Sequence, residues 1–281
     1  MNKKSTQEKA KILRCLVEGN SIRSTVRITG AAKNTVVKLL VDAGKACADY
    51  QDEHFTNLQC RRLQIDEIWS FVYAKQKNVP ADKYSEAGDF WTWTAICADT
   101  KLVACWAVGR RNPTVANEFL EDVSSRLASR VQLTTDGYKP YINAVSKAFG
   151  NDIDYGMLVK IYGPGEDNYK RYSPSMCLGT NKSVITGNPN KALMSTSFAE
   201  RQNMTMRMGM RRFTRLTNAF SKKVENHSHA IALHFMYYNF CRRHQTIKTT
   251  PAIAAGLTDK VWTLEDVIEV IDKYQEADKS N

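Results

Sequence analysis

The sequence predicts a mixed α/β domain preceded by a small all-α domain. Residues 1–45 carry apolar side chains at helical spacing, and from residue 63 the pattern changes to β-rich runs interspersed with amphipathic helical segments. The chain has 281 residues, which is enough for one domain of ordinary size and one small accessory domain. We therefore expect two structural units of unequal size.

The all-α unit, residues 1–45, is predicted to be a helix-turn-helix. After a first amphipathic helix, Ser21 can cap a short second helix that stops at Gly30, and a third helix ends with Gly44 as its C-cap. Two short helices hinged at a glycine are typical of a helix-turn-helix, although an ordinary three-helix packing unit has the same pattern. In a helix-turn-helix the second helix of the motif offers its N-terminal residues to the DNA major groove. Here those residues are Lys33, Asn34, Thr35 and Lys38, whose cations suit phosphates and whose amide suits base edges.

The larger unit, residues 63–255, has the element order of an RNase H-like, integrase-type α/β sheet. Three antiparallel strands are followed by helix, strand, helix and strand. Residues 46–62 are polar and are predicted to be a linker. The segment 163–195 is rich in Gly, Pro, Asn and Ser and is predicted to be an inserted loop or hairpin rather than part of the core. Residues 256–281 are predicted to form a C-terminal helix.

Composition narrows the class of protein. Forty Lys and Arg against 29 Asp and Glu give a net charge of +11, which favours a polyanionic partner but also fits a basic protein without one. The seven cysteines are odd in number and none is spaced C-x-x-C, so neither disulfides nor a structural zinc site is expected. No apolar run approaches the roughly 20 residues of a membrane span. We expect a cytoplasmic protein that is not associated with a membrane.

Three acidic residues stand out as candidate metal ligands. Asp66 lies inside an apolar strand, Asp136 ends a short strand just before Gly137, and Glu200 opens a helical segment. Phosphodiester chemistry without a covalent intermediate usually uses two divalent metals held by carboxylates. Taken singly, each acid also has a structural explanation, as an edge acid, a cap or a helix-surface acid.

Four segments resemble the catalytic blocks of bacterial DDE transposases. They are IDEIWSFV, TTDGYKPY, STSFAERQNMTMRMGMRRFTRLTNAFSKK and YNFCRRHQTIKTTPA. The resemblance is greatest to the insertion-sequence-one family, extends more distantly to retroviral integrases, and covers roughly residues 60–255. The segment SIRSTVRITGAAKNTV similarly resembles transposase helix-turn-helix segments. Some members of this family carry an N-terminal cysteine-rich zinc segment, and this chain lacks the spacing for one.

The resemblance implies the following function. Asp66, Asp136 and Glu200 would be the catalytic acids and would bind two divalent cations, Mg²⁺ or Mn²⁺. Arg207, seven residues after Glu200, would match a basic residue of the family. Such an enzyme cleaves DNA strands at the ends of a mobile element and transfers them into target DNA. Its partners would be double-stranded DNA and further copies of itself, as a homodimer or higher homo-oligomer.

A basic stretch follows Glu200. Between Arg201 and Lys223 there are seven cations and no acid. This pattern favours a phosphate-binding track, although a solvated helix face would also explain it. The predicted DNA-binding residues of this stretch are Arg207, Arg211, Arg212, Arg215, Lys222 and Lys223.

Two other hypotheses fit the sequence. The chain could be a helix-turn-helix regulator derived from a transposase, but a protein without catalytic constraint could lose an acid, and all three acids are present. It could also be a metal-dependent nuclease or resolvase, which would cleave DNA without joining it. The histidines between His227 and His244 lack the paired spacing of a metal site that includes a general-base Glu. They are not predicted to bind a metal ion.

Overall fold

The computed structural model describes residues 4–163, 176–214 and 217–280. The helices of the described part are α1 Thr6–Val17, α2 Ile22–Thr29, α3 Lys33–His54, α4 Pro113–Arg126, α5 Pro140–Phe149, α6 Ser197–Gly209, α7 Val224–Met236, α8 Pro251–Ala254 and α9 Leu264–Ser280. The strands are β1 Arg62–Val72, β2 Gly88–Cys97, β3 Val103–Gly109, β4 Gln132–Thr135, β5 Asp154–Tyr162 and β6 Cys177–Thr186. No helix of these residues is long and apolar enough to cross a membrane.

The six strands form one mixed sheet in the order β3-β2-β1-β4-β5-β6. β1 pairs antiparallel with β2, and β2 pairs antiparallel with β3. β4 pairs parallel with β1, β5 pairs parallel with β4, and β6 pairs antiparallel with β5. The parallel steps are possible because α4 and α5 provide the crossover connections. The predicted mixed α/β class, with three antiparallel strands followed by helix, strand, helix and strand, is confirmed.

The predicted inserted loop, residues 163–195, contains a strand. β6 pairs with β5 along most of its length, so the sheet has one strand more than the sequence pattern indicated. Most β6 side chains are exposed, because the strand lies at the edge of the sheet and buries little of its own surface. An edge strand is held mainly by backbone hydrogen bonds and can be polar. The polar composition of β6 therefore did not predict a strand. Residues 164–175 of this segment lie outside the described residues.

The third helix extends beyond the predicted end at Gly44. α3 continues to His54, so the first part of the predicted linker at 46–62 is helical. Gly44 is not a C-cap. It lies where α3 crosses α7, and a Cβ there would come within 2.2 Å of the His229 Cβ and 2.4 Å of its Cα. The glycine allows two helix backbones to approach closely, which a sequence pattern cannot distinguish from a helix end.

The three N-terminal helices share one core with the rest of the chain. α3 packs against α7 and α9, and α1 packs against α9. Buried side chains such as Val36 and Leu40 of α3 belong to the same apolar cluster as Ile231 and Phe235 of α7. The boundary predicted at residue 45 therefore does not separate two hydrophobic cores, and the predicted C-terminal helix at 256–281 begins at Leu264 and helps to build the shared one.

We expect Gly44→Ala to destabilise the protein by about 2 kcal/mol, because a forced separation of α3 and α7 outweighs the roughly 1 kcal/mol that alanine adds to helix propensity. Chemical denaturation followed by circular dichroism measures this change. Gly179→Ala is the control, since a Cβ at Gly179 meets nothing within 4 Å. Equal stabilities of the two variants would contradict the close helix crossing.

Candidate functional site

Asp66 and Asp136 are brought together by the pairing of β1 with β4. The two strands run parallel, and Gln64 lies opposite Thr134. Asp66 and Asp136 each follow this last pair by two residues, and their carboxylate oxygens lie within 4.8 Å of each other. Because strands are about 4.8 Å apart, neighbouring acids in such a register are close enough to share a cation.

A third acid joins this pair. Carboxylate oxygens of Asp66, Glu67 and Asp136 all lie within 4.8 Å of one another, and these three residues could hold a metal ion. β4 ends at Thr135 whereas β1 continues to Val72, so β4 does not pair with β1 beside Glu67. Glu67 was not predicted from the sequence, because adjacent strand residues normally point to opposite faces. We call Asp66, Glu67 and Asp136 the acidic cluster.

Helix α6 is anchored over β1 by two side chains of that strand. The Gln64 Oε1 accepts hydrogen bonds from the backbone N–H groups of Phe198 (2.8 Å) and Ala199 (3.2 Å) at the start of α6. One turn further, the Asn203 Nδ2 donates to the Asp66 Oδ2 at 2.9 Å. These bonds satisfy two helix-terminal donors and orient one oxygen of Asp66.

Glu200 lies on the same part of α6 but outside the close group of oxygens. It precedes Asn203 by three residues, so the two side chains share a helix face. Its Oε2 accepts a hydrogen bond from the Lys160 Nζ of β5 at 2.5 Å, and its Oε1 accepts one from Thr196 at 2.7 Å. The charge of Glu200 contributes to the raised pKa of Asp66.

The acidic cluster is electrostatically strained without a cation. Burial, together with the charges of Asp136 and Glu200, raises the pKa of Asp66 to about 6. Burial, followed by the charge of Asp136, raises the pKa of Glu67 to about 7. Arg111 is the cation beside them, with 3.6 Å from its Nε to the Glu67 Oε1 and 3.6 Å from its Nη2 to the Asp136 Oδ2. Those distances are too long for good hydrogen bonds, so Arg111 compensates the negative charge only in part.

The donor atoms fit a hard divalent cation. All three cluster residues offer carboxylate oxygens, which Mg²⁺ and Mn²⁺ prefer. The Glu67 side chain is 2% exposed, and its Oε1 has no hydrogen-bond partner among the described residues. The Asn203 Oδ1 is also buried without such a partner. Buried acceptors of this kind normally find a donor or a cation, so the cluster has unused capacity for a metal ion.

The predicted contacts at the start of α3 are on the surface. Lys33 and Asn34 are exposed, and Thr35 is half-buried one residue further on. Lys38 is exposed as well, but its Nζ pairs with the Asp42 carboxylate at 2.7 Å. Three of these four side chains are therefore accessible to a ligand without first breaking an ion pair.

The predicted basic residues after Glu200 differ in their surroundings. Arg207 and Arg211 are exposed, as are Lys222 and Lys223, while Arg215 lies outside the described residues. Arg212 is half-buried, and its Nε donates a hydrogen bond to the Ser221 Oγ at 2.8 Å. The described residues of this group are thus mainly accessible, and Arg212 is the member directed inward.

Two histidines of the group between His227 and His244 are core residues. The His227 ring lies between the hydroxyls of Ser70 (3.1 Å) and Ser221 (3.2 Å), and burial lowers its pKa to about 3. Burial also lowers the pKa of His234 to about 3. Both rings are therefore neutral at pH 7 and pack within the apolar core.

Comparisons with known proteins do not assign the chain to a family. No protein-family profile matches it, and no curated protein matches it.

We expect Asp66→Asn and Glu67→Gln to stabilise the metal-free protein at pH 8 by about 1–3 kcal/mol each. The sign follows from the raised pKa of both carboxyls: folding favours their protonated form, so stability is lost as the pH rises from about 4 to about 7. Removing either charge removes that loss.

Thermal unfolding in EDTA at pH 4 and pH 8 measures this effect, with the exposed Glu121→Gln as control. Added Mg²⁺ should raise the unfolding temperature of the wild-type protein more than that of either cluster variant. A lower unfolding temperature of both cluster variants at pH 8 would contradict the electrostatic strain.

Proposed function

We propose that this protein is a DDE transposase with an RNase H-like catalytic domain and an N-terminal helix-turn-helix. The observation that supports the proposal most is the parallel register that sets Asp66 beside Asp136, with Glu200 on the helix held over them. Similarity in short sequence segments alone would not require these acids to lie close together in the fold. Acids from two neighbouring parallel strands and one helix suit the binding of divalent cations at a phosphodiester.

Asp66, Asp136 and Glu200 would hold two Mg²⁺ or Mn²⁺ ions. When bound, these ions would supply the acidification of an attacking water or hydroxyl and the neutralisation of charge on the scissile phosphate. Asn203 orients one oxygen of Asp66, and Glu67 adds negative charge beside the ligands. Lys160 pairs with Glu200, and Arg111 lies 3.6 Å from both Glu67 and Asp136, so two cations beside the acids would suit contacts with DNA phosphates.

The reaction class would be cleavage of one strand at the element end, followed by attack of the resulting 3′-hydroxyl on target DNA. Lys33, Asn34, Thr35 and Lys38 at the start of α3 would recognise the terminal repeat. The same residues would also suit a regulator, so the joining step is the feature that separates a transposase from the alternatives. A nuclease or resolvase of this fold would give cleaved but no joined products.

Asp66→Asn, Asp136→Asn and Glu200→Gln should each lower cleavage and joining by at least about 10³-fold, because each removes a ligand charge where transition-state charge is stabilised. DNA binding in the absence of metal should stay within about two-fold of wild type, since little of the basic surface changes. Gel analysis of nicked and joined products with the element's end DNA and Mg²⁺ measures activity.

Glu67→Gln is the informative control for this set. It removes a charge from the same cluster, and we expect it to retain measurable cleavage. If Glu67→Gln abolished cleavage while Glu200→Gln preserved it, the third ligand would be Glu67. If every acid variant kept near-normal cleavage, the proposed site would be wrong.

Arg207→Ala should lower end cleavage and joining strongly while metal binding persists. Arg207 lies seven residues after Glu200, about 10.5 Å along α6 on nearly the same face, where a guanidinium suits the phosphates of DNA held at the metals. Arg207→Lys should be milder but measurable, because an ammonium cannot form two parallel hydrogen bonds to phosphate. Arg201→Ala removes the same charge from a position about 120° around the helix from Arg207 and serves as control. Unchanged catalysis with lowered thermal stability would instead make Arg207 a structural residue.

A further inference from the structure

A second charged feature lies between the N-terminal helices and the segment that follows α6. A cavity of about 590 Å³ is bordered on one side by the start of α2 and α3 and on the other by residues 211–212, 217–220 and 222. Among the described residues that line it there are five cations and no acid: Arg23, Lys33, Arg211, Arg212 and Lys222. We call this space the basic cavity.

The cations of the basic cavity are not neutralised by neighbouring acids. None of the five has a carboxylate oxygen within 4.0 Å in the described part of the chain. Elsewhere on the surface, basic residues such as Lys9, Arg62, Arg126 and Arg130 do have such partners. Like charges that converge without counter-charges repel one another, so a bound anion would relieve this repulsion.

Arg212 is held in place from behind by neutral groups. Its Nε donates to the Ser221 Oγ, which contacts the His227 Nδ1, and the His227 Nε2 contacts the Ser70 Oγ of β1. His227 is neutral at pH 7, and burial lowers the pKa of Arg212 only to about 10, so Arg212 keeps its charge. The network orients the guanidinium before any ligand arrives, which lowers the entropy lost on binding.

The position of the basic cavity suits a polymer that also reaches the acidic cluster. α6 leads from Glu200 to the edge of the cavity, and nine residues of helix span about 14 Å. A DNA strand rises about 3.4 Å per nucleotide, so this part of α6 matches the length of about four nucleotides. Lys33 belongs to the cavity and directly precedes Asn34, so a backbone bound there would bring adjacent bases to the start of α3.

We propose that the basic cavity binds a backbone phosphate of duplex DNA and clamps the segment between the helix that recognises the element end and the acidic cluster. The choice of DNA as the polyanion rests on the proposed function. The cavity joins two parts of the chain that were predicted to act separately. It also assigns to Arg23, which no sequence pattern singled out, a DNA contact shared with Arg212.

The test compares Arg23→Gln and Arg212→Gln with wild type and with Lys147→Gln, an exposed cation on α5 outside the cavity. Dissociation constants for a 20-base-pair duplex are measured at several salt concentrations in EDTA, on the Asp66→Asn background. We expect each cavity variant to weaken binding about 5- to 10-fold and to reduce the slope of log K against log salt by about 0.9. Lys147→Gln should change neither quantity.

This test involves no metal and no cleavage. The cavity proposal can therefore fail while the proposed catalytic function stands, and the catalytic function can fail while the cavity proposal stands. Arg23 is exposed, so its variant folds even if the Arg212 variant disturbs the Ser221–His227 network. Wild-type affinity and salt slope in both variants would overturn the inference. The inference would also be overturned if inorganic phosphate stabilised the wild-type protein but neither cavity variant against unfolding, while DNA binding was the same in all three. The cavity would then be a site for a phosphate ion. Tighter binding of duplex RNA than of DNA would also overturn the inference.

Discussion

The parallel pairing of β1 with β4 is the constraint on which the candidate site depends. It puts Asp66 and Asp136 next to each other where β4 ends, with Glu67 beside them. The other contacts around the acids offset the repulsion between their like charges. Asn203 and the backbone of Glu67 donate to Asp66, Arg111 stands between Glu67 and Asp136, and Lys160 pairs with Glu200.

This arrangement lowers the stability of the folded chain in order to concentrate negative charge. Buried carboxylates with raised pKa values are destabilising at neutral pH unless a cation compensates them. The compensation available within the protein is weak, since the Arg111 contacts are 3.6 Å long. Sites of this kind are expected where function, rather than folding, selects the residues.

The close packing of α3 against α7 has a consequence for how DNA could be held. Because Gly44 allows the two helices to touch, the residues at the start of α3 are fixed relative to the sheet rather than carried on a flexible linker. A rigid connection sets one distance between the N-terminal surface and the acidic cluster. The basic cavity borders the start of α3, and its Arg212 is tied through Ser221 and His227 to Ser70 of the strand that bears Asp66.

The sequence by itself determined the mixed α/β class, the succession of the first five strands along the chain and the candidate acids Asp66 and Asp136. Alternating or continuous apolar runs and an acid at a strand end are local patterns, which survive without tertiary information. Only the tertiary structure decided that β6 is a strand, that Gly44 lies inside a helix, and that Glu67, Arg23 and Arg212 lie where they do. An exposed edge strand is held by backbone bonds to its neighbour, a helix crossing depends on a partner 185 residues away, and a cluster of charges depends on several elements at once. Such features arise from contacts between distant segments, and no local periodicity records them.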